Sequence, residues 1–308
     1  MKKIFKITIA AALAFGLSAC SSESSSEKNV LDELKQGQNA KPKRELGMSR
    51  EALYELIHQI PSPLEISKLI HESGASYNED MLNDVDNSGK YTSRYRQAVN
   101  LGVYGTNLGY INMYSNYTSS LTYLGAVTDL AEELKVSQFF DFNTIKRLAI
   151  NNENMDSILH ISTTGFDRMN EYLQNEGRDE HSVLMLIGGW IEAVHVLCQV
   201  TEKTPSEELV ERIGEQKLSL EFLNIIIDLY QDVPFFQEVK AQMKPLNDAF
   251  GEVTQEVTEG ELIEKEVDGT LVIEDTSTSK TVLSDATLKK ITTIVANIRT
   301  LLIKVEDK

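Results

Sequence analysis

Between His181 and Val200 the chain carries an almost wholly apolar helical stretch, with Val183, Leu184, Leu186, Ile187, Ile191, Val194 and Leu197 on every side of the helix. A helix apolar all round must be wrapped by other elements. One such segment therefore commits the chain to helices packed about a central one. The rest of the sequence agrees. Only six of 308 residues are proline, and apolar residues recur at spacings of three and four. These patterns predict helices over Arg50–Ile60, from Pro63 to about His71, and over Arg94–Tyr117, Ser119–Leu134, Phe142–Ile150 and Glu153–Gln174. Further helices are predicted from Pro205 behind a Thr204 cap, over Ser219–Tyr230, and from Pro234 to about Val257. The expected fold class is all-α, a compact multi-helix bundle.

The pattern changes near residue 261. Glu261–Val267 and Thr270–Glu274 flank Asp268-Gly269 and predict a β-hairpin over about 261–275. Residues 276–281 read as a polar link, and a last helix covers about 285–305 behind a Ser284 cap. Leu288, Ile291, Val295, Ile298 and Leu302 form a heptad stripe on it, and Leu246, Phe250, Val253 and Val257 form another before the hairpin. Two facing stripes joined by a hairpin predict an antiparallel helix pair. An offset of 83 also aligns Leu101–Met113 with Leu184–Val196, matching Leu101 to Leu184 and Gly105 to Gly188. Two units are fewer than a solenoid needs, so a bundle is preferred.

The first residues carry a different message. Lys2, Lys3 and Lys6 precede an apolar run from Ile7 that ends in Leu17-Ser18-Ala19-Cys20. Spanning a bilayer takes about 20 apolar residues, and this run is shorter. It resembles the signal peptide of bacterial lipoproteins, with a lipobox that ends in the cysteine that receives the lipid. That resemblance implies cleavage after residue 19, covalent lipid (palmitate among it) on Cys20, and anchoring in the cell envelope. Ser21 in place of Asp is similar to the outer-membrane address of Gram-negative lipoproteins. Residues 20–47 then form a Ser-, Gln- and Lys-rich tether too polar to bury a core. Residues 48–308 form the helical domain, which resembles the helical lipoproteins of Gram-negative envelopes.

Charge narrows the partners. The chain carries a formal −17, and loss of the three leader lysines lowers this further. With no basic run, it lacks the means to neutralise phosphates, so nucleic acid is not an expected partner. Cys198 stands alone once Cys20 is lipidated, which leaves no disulfide and reads as a small core residue. No nucleophile elbow, zinc-protease motif, phosphate loop or dinucleotide fingerprint is present. An enzyme is therefore not the leading reading, and no resident cofactor is expected.

Two features remain. Seven of eleven tyrosines fall between residues 91 and 123, interleaved with Gly102, Gly105 and Gly109 and with Asn100, Asn107 and Asn112. Tyrosine joins an apolar body to a polar tip, and glycine admits close approach. Tyr104, Tyr110, Tyr114 and Tyr117, with Trp190 beside Gly188 and Gly189, are therefore the candidate face for an envelope protein partner or a small ligand, against a packing role. The alternative is a metal site at Glu192 and His195, whose Glu-x-x-His spacing puts both side chains on one helix face. Within that apolar helix the motif has no second copy, so a buried hydrogen-bonded pair competes with it.

Overall fold

The computed structural model describes residues 46–151, 155–258, 260, 262–267, 270–275 and 278–305. The leader, Cys20, nearly all of the tether and the Asp268-Gly269 turn lie outside these residues. Among the described residues, ten α-helices pack around one core: α1 (Arg50–His58), α2 (Pro63–Glu72), α3 (Arg94–Met113), α4 (Tyr117–Glu133), α5 (Phe142–Asn151), α6 (Met155–Asn175), α7 (Asp179–Lys203), α8 (Glu207–Asp228), α9 (Pro234–Phe250) and α10 (Asp285–Leu302). Strands β1 (Thr254–Thr258), β2 (Leu262–Val267), β3 (Thr270–Asp275) and β4 (Thr278–Val282) lie between the last two helices.

The all-α bundle is the architecture the apolar periodicity predicts, and α7 is its axis. Val183, Leu184, Ile187, Ile191, Val194 and Leu197 on α7 have no solvent exposure. By length and composition α7 could cross a membrane, but 89% of its most apolar stretch is buried inside this protein. Helix α3 crosses α7 most intimately. A Cβ on Gly102 would run into the Met185 carbonyl, and one on Gly188 into that of Val99. The contacts advance together along both helices, from Gly102–Met185 to Thr106–Gly189 and Asn107–Glu192, so the two run parallel. The two segments related by the offset of 83 are thus packed on each other.

Several boundaries differ from the sequence reading. Helix α3 stops at Met113, because Ser115 takes a left-handed φ of 56° and Asn116 caps a new helix by accepting from the Ser119 N–H. Tyr117 therefore opens α4 instead of closing α3. Helix α8 is capped by Ser206, not Thr204, and runs unbroken to Asp228. Helix α9 ends at Phe250, not Val257. Thr254–Thr258 pairs with Thr278–Val282, in antiparallel register from Thr254↔Val282 to Thr258↔Thr278. Residues read as helix end and polar link are both β-branched-rich strands. Val253 stays in the core, while Val257 is 66% exposed on β1. The inner hairpin has the expected register, with Val267 opposite Thr270, which leaves a two-residue loop.

The helix pair α9–α10 is antiparallel. Glu252, just past the end of α9, accepts from Lys290 Nζ at 2.6 Å and Thr287 Oγ1 at 3.0 Å near the start of α10. At the other end, Arg96 lies 4.0 Å from Glu238 and donates to the carbonyls of Leu301 and Leu302. Ile291, Val295, Ile298 and Leu302 carry α10 into the core.

Candidate ligand cavity

Helix α3 has two chemically opposite faces. Asn100, Tyr104 and Asn107 fall on one, and Gly102, Gly105 and Gly109 on the other, because 3.6 residues make a turn. The polar face is buried against the irregular segment between α2 and α3. Tyr104 donates to the Asp84 carbonyl at 2.7 Å, Tyr123 of α4 to that of Asn83 at 2.9 Å, and Tyr114 to that of Ala75 at 2.8 Å. Tyr110 accepts from the Asn78 N–H at 3.1 Å, and Asn107 Oδ1 from that of Asn83 at 3.1 Å. A loop this deeply packed leaves backbone groups that water cannot reach. The Tyr/Asn cluster supplies their partners. Burial pushes the phenols of Tyr104 and Tyr114 well above the ordinary value, so they stay neutral donors. Within this segment Asp84 caps a 3₁₀ helix over Val85–Lys90, its Oδ1 accepting from the Asp86 N–H at 2.9 Å.

The candidate residues thus have definite places. Tyr104 and Tyr110 have no solvent exposure, and Trp190 is buried with its indole N–H on Gln216 Oε1 at 3.0 Å. Tyr114 is half-buried against His71 and Tyr77. Tyr117, on a different helix, is 43% exposed. The structure does not bring the five together on an open face. Physically, each buried phenol already has a partner within the chain.

Glu192 and His195 do share a face of α7, as their spacing requires. The cation on Glu192, however, is Arg299 of α10. Its Nε donates to Glu192 Oε2 at 2.6 Å and its Nη2 to Oε1 at 2.9 Å, while Asn107 Nδ2 adds a 2.6 Å bond to Oε1. Burial works against the Arg299 charge, but the adjacent carboxylate outweighs it and holds its pKa above the ordinary value. His195 is driven the other way, to about 4, first by burial and then by Arg299. A metal on Glu192 would have to displace a bidentate guanidinium. Among the described residues, no three His, Cys, Asp or Glu side chains gather as ligands. Cys198 is buried in α7, and burial raises its thiol to about 12, an unreactive state.

The glycine face leads elsewhere. Gly102 closes on α7, and a Cβ on Gly109 would meet the Leu64 side chain of α2. Gly105, between them, faces open space, with nothing within 4 Å of a Cβ built on it. That space is a cavity of about 420 Å³, within the ~300–1,000 Å³ range of small-ligand sites. Helices α3 and α7, the α1–α2 turn, and Phe140, Phe142, Ile158 and Phe166 all line it. Most of the lining is aliphatic or aromatic. Deep in the wall, Asn112 accepts from Ser120 Oγ at 2.7 Å, and its Nδ2 has no partner among the described residues. At the rim, His58 and Asp167 pair at 3.2 Å, with Glu65 nearby on the lining.

No family model, curated protein or solved structure matches this chain. The geometry of the cavity therefore carries the functional argument.

The sequence reading singled out this helix, its glycines and its tyrosines together; the structure puts Gly102, Gly105 and Gly109 on the cavity side of α3 and buries Tyr104 and Tyr110 away from it. The cavity draws on residues from α1 through α7 that share no spacing along the chain. Three glycines on one side of a helix were the available signal.

Proposed function

We propose that this is a lipid-anchored protein of the bacterial cell envelope, held through Cys20 at the outer membrane, whose helical body binds a small, mostly apolar ligand. The observation that carries the binding reading is the 420 Å³ cavity over Gly105, apolar-lined and polar-rimmed. A core of this size ordinarily closes its voids. Here one stays open, and Gly105 leaves part of its wall without a side chain.

Two experiments test the two halves. Cys20→Ala should abolish lipid labelling and move the protein out of the membrane fraction; unchanged labelling would end the anchoring claim. For the cavity, the chain from Ser21 onward retains every described core residue. Titration with N-phenyl-1-naphthylamine, a neutral apolar fluorophore, should show one saturable site. Gly105→Leu should fill the space and abolish that signal without lowering the melting temperature. Equal binding by wild type and Gly105→Leu would locate the probe elsewhere and refute the reading.

A further inference from the structure

We infer that the cavity selects an uncharged single-chain amphiphile, an acyl or alkyl chain with an ester or hydroxyl head, and rejects the corresponding carboxylate. This rests on the ligand-binding reading above and adds the ligand's chemistry.

Among the described residues, the lining contains no lysine or arginine. A carboxylate drawn into an apolar cavity needs a cation to offset its desolvation, and none is offered. His58 is the nearest candidate, but both ring nitrogens are engaged. Nδ1 lies 2.8 Å from the Tyr54 carbonyl and Nε2 3.2 Å from Asp167. The ionisable lining groups besides His58 are Asp167 and Glu65, which repel an anion at the entrance. A cationic head drawn into the apolar cavity loses its hydration as well, and the carboxylates stay at the rim, where Asp167 is already paired with His58. What the wall does offer is neutral hydrogen bonding from the hydroxyls of Ser62, Ser162 and Thr163 on the lining, none of them fully buried. That suits an ester carbonyl or a hydroxyl.

Size points the same way. A cavity of about 420 Å³ sits in the lower part of the small-ligand range, which fits one chain better than two.

The test is competition against N-phenyl-1-naphthylamine with three probes of one chain length: glycerol monolaurate, laurate and dodecylamine, below their micelle concentrations at pH 8. The monoester should displace the fluorophore at a concentration about tenfold lower than either charged probe, a difference of about 1.4 kcal/mol. Neutralising the rim with Asp167→Asn and Glu65→Gln together should narrow the gap to laurate while fluorophore affinity holds. Laurate or dodecylamine matching the monoester on the wild-type protein would overturn the selectivity and leave the cavity standing. Failure of the fluorophore to bind at all would instead strike the underlying reading, so the two failures are distinguishable.

Discussion

The two faces of α3 were built from residues that look equally suited to recognition, yet they do opposite things. On one, Asn100, Tyr104 and Asn107 are fully buried and hydrogen-bonded to the chain itself. On the other, Gly105 leaves a wall bare and a cavity open beside it. Functional groups attract attention in a sequence, but once buried they are consumed by the backbone they satisfy. Room for a ligand comes from where side chains are missing. The polar face should therefore govern stability and the glycine face binding, and perturbing each in turn separates them.

The largest effect belongs to the polar face. Glu192→Ala would leave the Arg299 guanidinium, only 12% exposed, without its carboxylate. Breaking a buried pair from one side costs about 3–5 kcal/mol, which should appear as a lower urea midpoint. The protein that remains folded should still bind the fluorophore. A cost near zero would mean that α10 is held by something other than this pair.

Acid should act on the same face. His195 has a folded pKa near 4 against an ordinary 6.5. Between these values the unfolded chain takes up a proton that the folded chain refuses. Its contribution to stability is thus full above about 6.5 and declines as pH falls, with the loss complete below about 4. The shift corresponds to about 3 kcal/mol. Urea midpoints of wild type and His195→Gln, compared across this window, should diverge, the wild type falling more steeply. Parallel curves would remove His195 from the account.

A smaller contrast compares two glycines one turn apart. Gly102→Ala pushes a methyl into the α7 backbone, which cannot yield as a side chain would, and should cost about 1–3 kcal/mol. Gly105→Ala meets nothing and should stabilise the helix by about 0.5–1 kcal/mol, with weaker fluorophore binding. Thermal melts of the two should move in opposite directions. If both fall, the space beside Gly105 is not open. On binding, the least effect is expected for Tyr104→Phe, which deletes one hydrogen bond to the Asp84 carbonyl for about 1 kcal/mol of stability and should leave ligand affinity unchanged. A change in affinity with no change in stability would return the tyrosines to the binding face.

Much of the architecture was legible because it rests on local pattern. The stripe on α10 and the Asp-Gly hairpin each report on their neighbours in the chain. The strands β1 and β4 were not legible, since Val253 and Val257 continue a helical spacing across Gly251 and only the distant partner Thr278–Val282 draws them into a ribbon. The cap of α8 was misplaced by two residues because Thr204 and Ser206 are both good caps. What settles it is that Ser206 Oγ accepts from the Leu209 N–H at 3.1 Å. The cavity was hidden for a deeper reason. It is a property of how seven helices fail to close, and no single stretch of sequence encodes a space. The partners of the tyrosines were equally hidden, because Asn78, Asn83 and Asp84 engage them mostly through backbone atoms that every residue possesses.

The way α10 is fastened also bears on how the protein is made. Glu192, Asn100 and the Tyr91 hydroxyl lie on segments emerging early or midway in synthesis, yet they await Arg299, Leu302 and Ile303. Until Asp285–Leu302 arrives, a buried carboxylate and a groove of apolar side chains stand open. Docking of α10 thus closes contacts that the earlier helices leave open, and the order of synthesis makes it late.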